Sequence, residues 1–307
     1  NDNTAVGASA LTANTGGASN TGVGSGSLAT NTTGANNTAL GSQALTANTT
    51  GAQNVGIGKG ALVSNTTGAR NTSVGYDSLN GNTTASYNTA FGFEAMYTNT
   101  TGASNVAIGY QALATNNASD NVALGRHALG ANSTGTRNIA IGNYAYDASD
   151  TENDNLAIGY NAMTTNTAGG TLNVAIGNYA MDALTSADNN TAVGYNSMSA
   201  TTTGGNNVAV GYQTLLANTT GDHNTAVGFG ALTAVSTATG NTAIGAGAGD
   251  AITTGNHNIA IGYNSLTNCT TGTNNVAVGH DSVLRITTAS NNTGIGKEAL
   301  KETTTGA

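Results

Sequence analysis

A pentad of the form Asn-x-small-x-Gly recurs along the whole 307-residue chain with almost no drift. It appears as Asn37-Thr38-Ala39-Leu40-Gly41, as Asn54-Val55-Gly56-Ile57-Gly58 and as Asn258-Ile259-Ala260-Ile261-Gly262, in 18 copies counted from Asn3. The step is 17 residues, except 16 into Asn121 and 18 into Asn173. A period of this length is the signature of a stacked repeat, and it takes precedence over any local reading of secondary structure. It also overrules composition. With 44 Gly, no Pro and 7% charged residues, the chain would otherwise sit among disordered sequences. Disorder has no need of register.

Within the pentad, the residue before Gly is apolar in all 18 copies, as in Val6, Ile57, Phe91 and Ile295. Two positions earlier stands Thr or a branched aliphatic, such as Thr38, Val106, Leu156 or Ile259. Ala, Gly or Ser lies between them. Large residues on one side and minimal ones on the other, at period two, predict a short strand. After Gly the pattern is x-x-small-aliphatic, with Leu11, Leu45, Leu113, Met163, Met198 and Leu300 in the last place and Tyr146 and Gly249 as departures. This predicts a second short strand. A polar corner follows, typically Asn48-Thr49-Thr50-Gly51, whose Gly is present in 12 of 18 units and is expected to supply a positive φ. Both changes of length fall in the corner, at 116–120 and 167–172, so the corner is expected to face solvent.

The expected fold is therefore all-β: a parallel β-solenoid (β-roll) of about 18 coils with a 17-residue repeat, forming a single repeat domain over residues 1–307. At about 4.8 Å per coil, the stack would extend on the order of 85 Å. One coil cannot stand alone. It buries two or three aliphatic side chains, worth roughly 1.5–3 kcal/mol each, against about 1–2 kcal/mol per residue of backbone entropy. The thin core predicts that a further apolar surface packs against another chain. Two placements are open. The β-branched side could fill the coil with the Ala/Gly side against a partner, or Ala and Leu could fill a narrow interior with the Val/Ile side outward. The units at both ends are ordinary repeats without atypical caps. The expectation is a piece of a longer chain, or rods stacked end to end.

The pentads Asn105–Gly109 and Asn173–Gly177 resemble the head repeats of trimeric autotransporter adhesins. The full unit, Asn207-Val208-Ala209-Val210-Gly211-Tyr212-Gln213-Thr214-Leu215 through Asn218-Thr219-Thr220-Gly221, resembles the repetitive shafts of bacteriophage tail-fibre-type proteins. The likeness extends over all 307 residues, although the autotransporter repeat is shorter than 17. The resemblance implies a homotrimer and an extracellular, cell-surface or virion location. The function expected from it is a structural shaft holding a binding tip away from a surface. A self-assembling filament, a glycan-binding adhesin and an ice-binding rod stand as alternatives.

Several chemistries find little support. The net charge of −8 is thinly spread, with no basic patch to meet nucleic acid. No apolar run approaches the ~20 residues of a membrane helix. Cys269 is the only cysteine, which rules out an intrachain disulfide. His127, His223, His257 and His280 occupy three different places in the unit, and Gly245–Gly249 lacks the Lys of a phosphate loop. No enzyme and no cofactor are expected. Two candidate groups remain. Asp147, Asp150, Glu152 and Asp154 could present oxygen ligands to calcium, although their spacing matches no calcium loop. Tyr76, Phe93, Tyr110, Tyr160, Tyr195, Tyr212, Phe229 and Tyr263 all follow the pentad Gly and would form a row, for packing or for glycan contact. The Asn-Thr-Thr corners would form Thr ladders of the kind an ice-binding face uses.

Overall fold

The computed structural model describes residues 2–166, 169–283, 285–302 and 304. The chain is an all-β parallel β-solenoid of eighteen coils with a repeat of about 17 residues. It is divided into two compact units, residues 1–153 and 154–307, with nine coils in each. The first unit carries β1 (Thr4–Val6) to β9 (Ile139–Ile141), and the second β10 (Leu156–Ile158) to β18 (Thr293–Ile295). Every strand is three residues long, the x-small-x core of a pentad. Within each unit, neighbours pair parallel and in register, so Thr38 lies on Val55 and Ala39 on Gly56, and Val208 lies on Thr225 and Ala209 on Ala226.

The structure decides between the two placements of the apolar residues. The middle residue of the strand points inward: Ala39, Ala90, Ala140, Ala175 and Ala260 are fully buried. Its flanking residues point outward, leaving Leu40, Phe91, Ile139, Ile141, Ile244 and Ile259 exposed. The interior is completed by the aliphatic row after the Gly, with Leu45, Leu62, Met96, Met163 and Leu215 fully buried. Tyr146 takes its place in that row and is likewise fully buried.

The segment carrying this aliphatic row is not a strand, which corrects the two-strand expectation. It is a run of turns in which alternate residues take the left-handed conformation, such as Gln43 at φ 62° and Leu45 at 52°. Left-handed backbone costs an L-residue about 1–2 kcal/mol. The cost is offset by bonds to the coils above and below: Gln43 N donates to Ser25 O at 2.9 Å, and Leu45 N donates to Ala61 O at 3.0 Å. Backbone pairing between coils thus continues where the strand stops.

The corner also differs from expectation. Gly34 and Gly51 do not have positive φ; the pentad Gly does, at +126° to +139° for Gly41, Gly58 and Gly75. Gly occupies the corner for room, because a Cβ on Gly51 would lie 2.4 Å from both Asn48 Oδ1 and Gly68 O. Nor is the whole corner solvent-facing. Asn31, Asn48 and Asn65 are fully buried, and only the Thr side chains beside them turn outward. Part of the longer corner, Thr167 and Ala168, lies outside the described residues, as do Thr303 and residues 305–307.

Where the corner carries Asn, as in eight of the nine coils of the first unit, two Asn rows close the coil. Asn37 Nδ2 and Asn48 Nδ2 both donate to Gly51 O at 2.9 Å, tying the start of the coil to its end. Vertically, Asn37 Oδ1 accepts from Asn54 N at 2.9 Å, and Asn48 Oδ1 accepts from Asn65 Nδ2 at 2.8 Å. These interior carboxamides are satisfied on both sides, which is the condition for burying them without a penalty. In the second unit, Leu184, Val235, Ile252, Cys269 and Ile286 replace the corner Asn, all fully buried.

Candidate functional site

The strand's inward small residue and the pentad Gly set the position of the next side chain. With φ near +139° at Gly75, the chain turns sharply out of the strand and presents Tyr76 at the surface, 42% exposed. In-register stacking then brings rings from successive coils face to face. In the first unit Tyr76 and Phe93 lie 5.2 Å apart at 8°, and Phe93 and Tyr110 lie 5.4 Å apart at 8°. In the second, Tyr195 and Tyr212 are 5.6 Å apart at 11°, and Tyr212 and Phe229 are 5.2 Å apart at 4°. These separations match the range in which offset stacking is favourable.

The rows hold more rings than the expected eight. His127, Tyr144 and Tyr179 join them from two residues after Gly, where the first place is taken by Arg126, Asn143 or Asn178. His127 packs edge-on to Tyr110 at 5.4 Å and stacks on Tyr144 at 5.6 Å. Tyr160 meets Tyr179 at 5.5 Å and 77°, and Tyr179 meets Tyr195 at 6.0 Å and 81°. His280 stacks on Tyr263 at 5.3 Å. The signal was present in the sequence: an aromatic ring or His stands at one or other of the two places after Gly in most units. Cations flank the first row, with Lys59 5.4 Å from the Tyr76 ring and Arg126 between Tyr110 and Tyr144 at 5.7 and 5.3 Å.

The acidic candidates are employed differently. Ser149 stands where the corner Asn belongs and Glu152 where the corner Gly belongs. The Glu152 carboxylate folds into the vacated space, nearly fully buried, and accepts from the backbone N–H of Asp150 and of Thr151, each at 3.0 Å. It therefore fills the place of the missing carboxamide, but only as an acceptor within its own coil. The substitution leaves a trace in the coil before it: Asn132 Oδ1 is buried without a hydrogen-bond partner, because Ser149 brings no Nδ2 to it. Burial pushes the Asp147 carboxyl up from the usual carboxylate range, opposed by His127. Asp150 accepts a hydrogen bond from Ser133, and Asp154 opens the second unit. Among the described residues, no group of three or more His, Cys, Asp or Glu side chains is arranged to hold a metal ion.

In each Thr ladder, one Thr is committed to its neighbour: Thr32, Thr49 and Thr66 donate Oγ1 to the Thr carbonyl of the next coil at 2.9–3.0 Å. The other, as at Thr50 and Thr67, stays exposed. Cys269 is buried, its thiol pushed up by burial and donating to Gly272 O at 3.6 Å. Among the described residues, no helix is long and apolar enough to cross a membrane. No known family, curated protein or solved structure matches the chain.

Proposed function

We propose that the chain is a structural shaft, a segment of an extracellular or virion fibre that assembles with further copies of itself, as a trimer on the resemblance of its repeats. The observation that carries this reading is the outward Val/Ile face. In each unit the coil interior is filled by Ala, Leu and Asn, while two larger side chains per strand stand outside in register. Val6, Leu40, Phe91 and Ile108 do so in the first unit, and Val208, Val210, Ile244 and Ile295 in the second. Exposed apolar side chains repeated in register from coil to coil favour a contact surface. Completing the burial of these partly exposed side chains would contribute about 1 kcal/mol each.

Mechanically, the shaft works by paired backbone. Interior strands are bonded to a coil on each side, and the closing Asn rows resist unwinding. Each added coil lengthens the stack within a unit by about 4.8 Å, so on this reading repeat number sets the reach of whatever the shaft carries. The reading assigns the chain no catalytic step and no cofactor. Light scattering after size exclusion tests it. Three times 30.0 kDa is the expected mass, and Ile139→Glu with Ile141→Glu should reduce it while leaving the circular dichroism of the coil intact. A single-chain mass for the parent protein at all concentrations would refute the assembly.

A further inference from the structure

The aromatic row of the second unit has no ring in the coil of Ala246, and it changes direction at Tyr179, beside an open hollow. Tyr195, Tyr212 and Phe229 all follow their pentad Gly directly and stack within 11° of parallel. One coil earlier that place belongs to Asn178, whose Oδ1 accepts from Tyr160 N at 2.9 Å. The ring is supplied instead by Tyr179, one residue later, from a left-handed backbone at φ 59°. The changed starting point rotates the ring to 81° from Tyr195 and separates the two centroids to 6.0 Å, against 5.2–5.6 Å for the stacked pairs that follow.

The space beside the turned ring is an open hollow of about 320 Å³, lined by Tyr179, Asp182, Tyr195, Asn196 and Ser199. Asp182 and Ser199 are vertical neighbours, each five residues after its Gly, just as Tyr179 and Asn196 each stand two after it. Two rings and three hydrogen-bonding side chains therefore converge from two adjacent coils. The Asp182 carboxyl is half-buried, and desolvation pushes it up from the ordinary carboxylate value, against hydrogen bonds from its own and the Ala183 backbone. This partly desolvated acceptor faces a hollow rather than a cation.

We propose that this cleft binds one neutral hexopyranose unit of a saccharide. The C–H face of a sugar ring carries partial positive charge and packs against the Tyr179 ring, which is stacked on neither of its ring neighbours, with Tyr195 beside it. Its hydroxyls are donors and acceptors at once. They match the acceptor-only carboxylate of Asp182, the two-sided carboxamide of Asn196 and the hydroxyl of Ser199. The hollow is open to solvent, so it would contact a single ring from one side. The carboxylate disfavours anionic sugars. A shallow site of this size binds a single ring with a dissociation constant on the order of 1 mM, and repeated saccharides on a multivalent fibre would bind more tightly through avidity. The site does not depend on the shaft reading, since a passive shaft has no use for it.

The test is saturation-transfer NMR on the intact 307-residue chain with methyl glucopyranoside, methyl galactopyranoside, methyl mannopyranoside and methyl glucuronide as probes. At least one neutral glycoside should give transfer, with the glucuronide weaker. Tyr179→Ala and Asp182→Ala should each weaken binding at least tenfold. Tyr179→Phe should retain it, as should Phe93→Ala, which removes a ring from the parallel stack of the first unit. Circular dichroism verifies the fold of each variant; should Tyr179→Ala misfold, Asp182→Ala and Tyr179→Phe carry the comparison. No transfer from any neutral glycoside overturns the proposal. Equal binding by Asp182→Ala and the parent overturns it too, as does equal loss in Phe93→Ala, which would make the contact a property of any exposed ring.

Discussion

Asn54 offers a way to measure what the closing ladder contributes, because aspartate and alanine disturb it in opposite ways. The side chain is fully buried. Its Nδ2 donates to Gly68 O at 2.8 Å, and its Oδ1 accepts from Asn71 N at 3.0 Å. In Asn54→Ala the Asn71 N–H loses that acceptor, whereas Gly68 O keeps Asn65 Nδ2 at 3.0 Å. One orphaned buried donor and one lost bond should cost about 2–4 kcal/mol, with no dependence on pH. In Asn54→Asp the Asn71 N–H keeps its acceptor, but a second oxygen now faces the carbonyl of Gly68. Ionised, that arrangement sets acceptor against acceptor in a dry interior, at about 3–5 kcal/mol. Protonated, the carboxyl donates to Gly68 O and the ladder is restored. The folded-state pKa is thus raised above the unfolded value of about 3.9. Between the two values the folded chain holds the extra proton, so stability falls as pH rises. The fall begins near pH 4 and approaches about 1.4 kcal/mol per pH unit until the folded pKa is passed. Urea unfolding followed by circular dichroism from pH 3.5 to 7.5 should show the aspartate variant more stable than the alanine variant at the acid end, and no more stable at neutral pH. Since a coil couples mainly to its neighbours, hydrogen exchange at the Asn71 amide should locate the loss. Parallel pH profiles for the two variants, or losses under about 0.5 kcal/mol for both, would refute the assignment of the ladder as a stabilising element.

Gly75→Ala should cost at least about 3 kcal/mol. Its φ is +139° and a Cβ would lie 2.2 Å from Gly92 O, so a thermal melt unchanged from the parent would contradict the geometry. Cys269→Val fills the same buried space between Ile252 and Ile286 and should be neutral within about 1 kcal/mol. The raised thiol pKa predicts slow native modification by a thiol reagent and rapid modification in urea; fast native labelling would place the thiol at the surface. Burial raises the Asp250 carboxyl above 3.8, and its Oδ1 is buried without a partner. Asp250→Asn should therefore gain stability relative to the parent as pH rises from 3.8, read as a widening difference in melting temperature. A constant difference would mean that the group does not titrate with folding.

The parallel register was legible because its cause is local and repeated. Eighteen pentads of one pattern can stack in only one register without breaking the row of small residues. Which side of the strand faces inward was not legible, because Ala and Ile alternate equally well either way. The decision comes from the Leu row and the Asn carboxamides, which must share the interior and leave room only for Ala. The left-handed Leu residues were illegible for a related reason. Leu is a poor choice for positive φ by local preference, and only bonds from the coils above and below hold Leu45 or Leu113 there. The corner Gly was identified correctly as special and explained wrongly: close approach, not φ, requires it. Glu152 was grouped with the candidate calcium ligands because three other acids lie close to it in the sequence. Its role appears only when coils are aligned and Ser149 is seen to occupy the place of an Asn.

The Asn row and the outward aliphatic face are two consequences of the same choice. An interior built from Ala, one aliphatic and two carboxamides is narrow enough for each coil to be closed by side chain to backbone bonds. That narrowness excludes the β-branched pairs of the strand, so their apolar surface is displaced to the outside. The second unit supports this account, since its corner row exchanges Asn for Leu184, Val235, Ile252 and Ile286 while the strand residues stay outward. Making the corner apolar did not draw Ile244 or Ile259 inward. The direction of the strand is therefore set by the space available to its middle residue, not by the polarity of the opposite wall. On this argument, enlarging the middle residue should be far more damaging than changing the corner. Ala260→Val forces two methyl groups into a fully buried position flanked by Ala243 and Ala277, and overpacking of this kind costs about 1–3 kcal/mol.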